Sequence, residues 1–324
     1  MNDSHNLRPG ERDGDRSSAR GDPYNAELVD VDVIHEGLRI FRVRLDGGPV
    51  AYRAGQYTVL GLGAWETPIA GGGTWPIDAR DRRIIKRAYS FSSPILDAGG
   101  KPTLVAADGA LEFYVTLIAA TPEHAPGLTP RLFALRPGHR LLAGERAKGR
   151  YTLAGVRPSD TVVFVATGTG EAPHNAMLAE LLFAGHRGPI VSLVCVRRRR
   201  DLGYLAVHRC VESRWPNYRY VPLTTREPEN IDPTAANYVG KRYVQDLFAS
   251  REIDALAGGR LDAATAHVFL CGNPAMLGLP HREGPGSDQL VYPQPRGMAE
   301  VLADRGFTLD TPHVRGNVHY ESYW

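Results

Sequence analysis

The hydrophobic rhythm of this 324-residue chain changes once, near Pro158, and that change restricts it to two units of different construction. From about Asn25 to Leu153, apolar residues recur at every second position, the period of strands with one buried face. Val29, Val31 and Val33 alternate with Asp30 and Asp32, and Glu36-Gly37 makes a turn. Phe41, Val43 and Leu45 then alternate with Arg42 and Arg44 before a second turn at Asp46-Gly47-Gly48. Tyr57 to Leu62, Arg87 to Ser92 and Leu111 to Leu117 are further strand candidates. Short strands joined by Gly-rich turns predict an antiparallel β-barrel or sandwich. After Pro158 the apolar runs are continuous: Val162 to Ala166, Ile190 to Val196, Tyr218 to Leu223 and His267 to Leu270. Between them the sequence predicts helices from Pro173 to Ala184, from about Leu202 to Arg214, and from Tyr243 to Leu256. Such alternation predicts an α/β doubly wound parallel sheet covered on both faces. The expected organisation is a disordered tail over 1–23, a barrel domain over 24–157 and an α/β domain over 158–324.

Composition narrows the function classes. A hydrophobic content of 43% suits a globular protein with sizeable cores, and a net charge of +2 gives no reason to expect nucleic acid. No apolar run approaches the roughly 20 residues needed to span a bilayer, and the polar start resembles neither a signal peptide nor an anchor. Cys195, Cys210 and Cys271 are far apart, so any iron–sulfur centre is expected on another protein. A reduced, cytoplasmic setting and a monomer are the corresponding expectations. Ala64 to Lys86 and His281 to Pro295, rich in Gly, Pro and charge, are expected to be surface insertions.

The strongest chemical signal follows the first run of the second half. Val162 to Ala166 leads directly into Thr167-Gly168-Thr169-Gly170-Glu171-Ala172-Pro173. Glycines let backbone approach a pyrophosphate, and a helix start offers free N–H groups and a positive dipole. Gly-rich turns of this kind also occur without a ligand, but the end of a first parallel strand is where such sheets bind one. Glu171 is awkward beside a phosphate, although an acid suits a first helical turn. Arg197 to Arg200 follow one predicted strand, and Thr224-Thr225-Arg226-Glu227 ends another. Arg197 and Arg226 are the preferred pair for an extra phosphate, with Arg242 a third candidate; the alternative is a solvated basic loop. Cys271, in Phe269-Leu270-Cys271-Gly272-Asn273-Pro274, is either a small buried side chain or a neighbour of the reacting atoms. In the first half, Arg87-Ala88-Tyr89-Ser90 offers a charge for pyrophosphate and an aromatic face for a flavin, or else a tyrosine turned to the core. Thr129-Pro130 marks a helix start that is an anion site or simply a cap.

Taken together, these motifs resemble the ferredoxin–NADP(H) reductase family in its bacterial branch. Arg87-Ala88-Tyr89-Ser90 resembles its flavin signature, with Gly55-Gln56-Tyr57 in the strand before it. Leu111-Glu112-Phe113-Tyr114, Leu128-Thr129-Pro130-Arg131-Leu132, Leu135-Arg136-Pro137-Gly138, Ala166-Thr167-Gly168-Thr169-Gly170, Cys271-Gly272-Asn273-Pro274 and the terminal Tyr323-Trp324 follow in the family's order. The resemblance implies an FAD domain followed by an NADP(H) domain, and an enzyme exchanging electrons between NADP(H) and ferredoxin or flavodoxin. It implies that Arg87 and Thr129 hold the FAD pyrophosphate, that Tyr89 contacts the flavin and that Ser90 hydrogen-bonds near its N5. Tyr323 would cover the ring and Trp324 would extend towards the adenine. Thr167, Gly168, Thr169 and Gly170 would receive the NADP(H) pyrophosphate, with Arg197 and Arg226 on the 2′-phosphate. Cys271 would line the nicotinamide site and Glu321 would be the nearby acid.

Two other readings stand beside this one at the level of sequence. One is a flavin reductase serving an oxygenase or small acceptors; the other is a flavin-binding module without turnover, against which Ser90, Cys271 and the terminal aromatics argue.

Overall fold

The structure is a computed structural model that describes residues 23–70, 80–105, 109–119, 127–284 and 290–322. The expected tail therefore lies outside the described residues except for Pro23, as do Tyr323 and Trp324 and the middle of each expected insertion.

The first half is an antiparallel sheet. β1 (Ala26–His35) and β2 (Leu38–Leu45) form a hairpin, followed by β3 (Tyr57–Gly63) and β4 (Ile84–Ser90). A short pair, β5 (Ile95–Leu96) and β6 (Pro102–Thr103), precedes β7 (Leu111–Thr116). After the short α1 (Thr129–Leu132) comes β8 (Arg140–Ala143). The six main strands run in the order β4-β3-β8-β1-β2-β7. A backbone hydrogen bond of 2.8 Å from Ser92 N to Glu112 O joins the two ends of that order, so the sheet curls into the expected barrel. Phe41, Leu60, Phe91, Phe113 and Leu141 fill its interior, and Leu128, Leu132 and Phe133 of the α1 region close one end.

Two expectations need correction here. β1 carries a register shift between Leu28 and Asp30, and past it Val31 packs on the core between the exposed Asp30 and Asp32, as expected. Ala26 and Leu28 point into the core, while Val33, expected on the buried face, is 60% exposed. β8 is a central strand that four residues with little alternation did not announce. It is held partly by a side chain acting as backbone, for Asn25 both donates to Ala143 O and accepts from Ala143 N at 2.9 Å.

The second half is a parallel five-stranded sheet, in the order β11-β10-β9-β12-β15. Its elements are β9 (Thr161–Thr167), α2 (Glu171–Phe183), β10 (Ile190–Val196), α3 (Leu205–Arg214), β11 (Tyr218–Thr224), α4 (Pro228–Ile231), α5 (Val244–Ala249), α6 (Glu252–Leu256), β12 (Ala266–Gly272) and α7 (Pro274–Leu277). A short pair, β13 (His281–Arg282) and β14 (Leu290–Val291), then leads to α8 (Met298–Ala303) and β15 (Val318–Ser322). Odd-numbered residues of β9 and β10 (Val163, Val165, Val191, Leu193) pack against α5, α6, α7 and α8. Even-numbered ones (Val162, Phe164, Ile190, Val194) pack against α2 and α3. This two-sided burial is the reason the strands read as continuous apolar runs.

The expected helix from Tyr243 to Leu256 is two helices, because Arg251 takes a left-handed conformation (φ 62°) between α5 and α6. The helix expected from Leu202 starts three residues later, after a 3-10 turn at Arg199–Asp201. Among the described residues no helix is long and apolar enough to cross a membrane. Phe164, at the middle of the central strand, is 1% exposed and contacts both Phe269 and His174. Replacing it with Ala should destabilise the protein by about 3–5 kcal/mol, the range for emptying a core aromatic site, as measured by urea unfolding.

Candidate active site between the two sheets

In a doubly wound sheet the loops diverge where the strand order reverses, and they leave a crevice at the carboxyl ends of the strands there. In this chain the reversal falls at β9, between β10 and β12. The loops after β9 and β12 meet closely at this point. A Cβ on Gly170 would collide with Cys271 O, and one on Gly272 would collide with Thr167 Oγ1. Gly272 also has φ +129°, which side chains rarely adopt. Asn273 N donates to Thr167 Oγ1 at 2.7 Å, and Asn273 Oδ1 accepts from Ala275 N at 2.8 Å to cap α7. Thr167, expected to receive a phosphate, thus also ties the two loops together. Gly168–Gly170 form a 3-10 turn that runs directly into α2.

Glu171 does not face the crevice. It is 2% exposed, and its Oε1 accepts from the Tyr220 hydroxyl and lies beside His208 Nε2, each at 2.9 Å. Tyr218 adds a 2.8 Å contact to the other nitrogen of His208. The acid that looked unfavourable beside a phosphate is buried and paired on the far side of the turn, and the expectation is corrected accordingly.

The two domains meet at Ser90. At the end of β4 its hydroxyl donates to Glu321 Oε2 on β15 at 3.1 Å, although the residues are 231 positions apart. Glu321 is the register partner of Cys271 in the neighbouring strand. Ser90, Glu321 and Cys271, expected together from the sequence, are therefore brought to one place. Burial of Glu321 pushes its carboxyl up from 4.5 to about 7, and the Ser90 hydrogen bond only partly offsets this. Behind Ser90, Tyr89 is half-buried and Arg87 is exposed, its guanidinium donating to Lys86 O at 2.8 Å. β4 ends the sheet order, so among the described residues this strand has an unpaired side.

Thr129 differs from expectation. It is the first residue of α1, not its cap, and its hydroxyl is taken up by Ile118, accepting from N at 2.9 Å and donating to O at 3.3 Å.

At the outer end of the crevice, Arg197 and Arg226 are exposed and their backbones are joined, Arg226 N donating to Arg197 O at 2.8 Å. Neither has an acidic partner among the described residues. Arg199 is paired with Glu229 and Arg200 with Glu36, each at 3.3 Å. Arg242 is held by both oxygens of Glu252 at 2.8 Å, so the third candidate is already engaged. Tyr323 and Trp324 lie outside the described residues. Sequence reasoning did not single out Tyr204, Ser92 or the role of Glu112, which form a buried cluster between the domains. The available signal was a glutamate inside the apolar run Leu111 to Val115, since a charge there is buried only with partners.

Comparisons with known proteins agree with this architecture. Residues 164–280 match the family model described as the oxidoreductase NAD-binding domain. The chain is 28% identical over 239 residues to the flavodoxin/ferredoxin–NADP reductase of Shigella flexneri, a match spanning 74% of this chain and 81% of the relative. It is 28% identical over 264 residues to ferredoxin–NADP reductase A of Sorangium cellulosum, spanning 78% and 80%. The solved ferredoxin NADP+ reductase of Neisseria gonorrhoeae, with bound FAD and NADP, superposes with a TM-score of 0.65 at 18% identity, covering 93% of this chain and 99% of that one. Barrel, parallel sheet and the crevice between them define a two-domain oxidoreductase with a dinucleotide-binding second domain. Within that class, the chain is similar to ferredoxin–NADP(H) reductases over most of its length.

The Glu321 carboxyl gives a prediction for stability. A carboxyl with a raised folded pKa holds its proton more tightly in the folded state, so its contribution favours the fold at low pH. That contribution is lost as pH rises from about 4.5 to about 7 and stays lost above. Glu321→Gln should therefore gain stability relative to wild type across this window, with a constant difference from about pH 8 upward. Urea unfolding midpoints from about pH 5 to about pH 8 test this, and a pH-independent difference would exclude the raised carboxyl.

Proposed function

We infer that this protein exchanges electrons between NADP(H) and a separate one-electron carrier, ferredoxin or flavodoxin, with FAD between them. The observation that carries this reading is the Ser90–Glu321 hydrogen bond, which brings the end of the barrel strand against the Cys271–Glu321 edge of the dinucleotide sheet. A module that only bound nucleotide would have no use for a half-buried acid shared between its domains. The names of the curated relatives support the same activity.

The residues present fit both cofactors. The close meeting of the Gly170 and Gly272 loops leaves backbone, with no side chain, at the floor of the crevice for a dinucleotide pyrophosphate. Arg197 and Arg226 suit the 2′-phosphate of NADP(H), Arg87 suits the FAD pyrophosphate, and Tyr89 suits the flavin face. Thr129, with its hydroxyl engaged by Ile118, supports the α1 start from behind. FAD, when bound, supplies the conversion between two-electron and one-electron transfer. The chain's own part is to orient and to hold a proton. Ser90 and Glu321 share that proton at the domain junction, and a carboxyl near 7 can hold or release it close to neutral pH. Cys271 would line the nicotinamide side without introducing charge, and the family likeness would give Tyr323 and Trp324 the cover of the flavin.

Purified protein should be yellow with FAD, and NADPH should drive reduction of ferredoxin or flavodoxin. Activity confined to small acceptors in a side-by-side assay would place it with the flavin reductases, and absence of NADPH oxidation with every acceptor would exclude an enzyme.

The arginine pair gives a second expected outcome. Two charge-assisted bonds of usual strength favour NADPH over NADH by about a hundredfold or more. The Arg197→Ala/Arg226→Ala double variant should raise KM for NADPH and leave KM for NADH nearly unchanged. Equal efficiency of wild type with both dinucleotides would contradict this placement.

A further inference from the structure

Ser92 lies just beyond Ser90, and its hydroxyl is 2.9 Å from the phenol oxygen of Tyr204 in the other domain. The same phenol donates to Glu112 Oε1 at 2.8 Å. A phenol has a single proton, so Ser92 must be the donor to Tyr204, and the direction of the chain is fixed. Glu112 takes Arg42 Nε on its other oxygen at 3.1 Å. Ser92, Glu112 and Tyr204 are all buried.

Tyr204 immediately precedes α3, at the far end of the segment that begins with Arg197. The same segment is tied to the barrel domain by further contacts. His35 Nε2 lies 3.1 Å from Asp201 Oδ1. The Tyr114 hydroxyl donates to Asp201 O at 2.9 Å and accepts from Gly203 N at 3.0 Å. Tyr114 and Tyr204 meet edge to face, with ring centroids 5.0 Å apart. Apolar contact alone would hold the domains together yet let them slide and rotate. Directional bonds at both ends of a buried phenol do not. The two ends of this network sit beside the two segments that matter, the one carrying Ser90 and the one carrying Arg197.

We propose that Tyr204, held by Ser92 and Glu112, is a positioning residue that sets the angle between the domains, and with it the closeness of the Cys271–Glu321 edge to Ser90. The inference rests on the electron-transfer reading above and adds a residue outside the set assigned to the cofactors. Its loss should slow flavin reduction without weakening dinucleotide binding, because Arg197 and the glycine turn remain.

The test uses FAD-loaded protein and rapid mixing with NADPH. Tyr204→Phe should lower the saturating rate of flavin reduction by about tenfold or more, as a displacement of about 1 Å between reacting groups can. The dissociation constant for NADP+ should stay within about twofold and FAD content should be unchanged. The long-wavelength absorbance of reduced enzyme with NADP+, which depends on close stacking of the two rings, should weaken in parallel. A residue that only stabilised the fold would lower the melting temperature and leave the rate and this absorbance unchanged, and that result overturns the proposal. If Tyr204→Phe does not fold, Ser92→Ala decides. It removes one bond to the same phenol without stranding a charge, and a wild-type rate in that variant also overturns the proposal. A wild-type flavin that NADPH fails to reduce overturns the electron-transfer reading itself, whatever the variants do.

Discussion

α2 is buried on all sides, and the relation of the two domains follows from that constraint. Eleven of its thirteen residues are buried, so it has no solvent face to spare. One side packs on Phe164 and Phe269 of the parallel sheet, and the other on Ala54, Ile95 and Tyr151 from the first half of the chain. Its polar groups are matched across the same boundary. Glu180 accepts from Ala54 N at 3.1 Å, and His174 meets the Tyr151 hydroxyl at 2.6 Å. Burial lowers the His174 pKa to about 3, so that contact is a neutral hydrogen bond at any ordinary pH. The glycine turn is the first part of this helix, so its place relative to the barrel is inherited from the packing of α2.

The acid at the junction is a second result of the same packing. Glu321 stands on the edge strand β15, which alone would leave it in water with an ordinary carboxyl. The approach of β4 shields it partly from water and supplies Ser90 as a hydrogen-bond partner. The shift towards neutrality is thus a property of the two domains together, and neither sheet would produce it by itself. The Tyr204 network and α2 act on this junction from different sides, one by directional bonds and the other by filled volume.

Much of this was legible in the sequence where a local rule and the tertiary fold agreed. The four continuous runs of the second half became adjacent parallel strands because double-sided burial writes itself directly into composition. Cys271 and Glu321 could be paired in advance only through family likeness, since strand neighbours 50 positions apart leave no periodic signal. The failures have local causes. Val33 keeps the phase of Val31 yet stands exposed, and β8 was too short to show a period. A left-handed Arg251, with neither Gly nor Pro to mark the break, split an expected helix. Glu171 was misjudged because sequence order put it beside the glycine turn, whereas the first turn of α2 rotates it towards His208 and Tyr220. The Tyr204–Glu112 joint draws on residues 92 positions apart and was not readable at all.

Among the described residues β4 has no strand paired along its outer side, and an open strand is a template on which another copy of the same strand can build. Its sequence guards against this. Arg82 and Arg83 stand just before it, and Lys86 and Arg87 are exposed within it, with Arg83 turned to Asp81. Two such strands brought edge to edge would set like charges against one another, with no low-dielectric cover to relieve them. The cation proposed for a cofactor's pyrophosphate therefore also keeps freshly folded chains apart, and the edge stays available for a ligand because it is unattractive to a second protein strand.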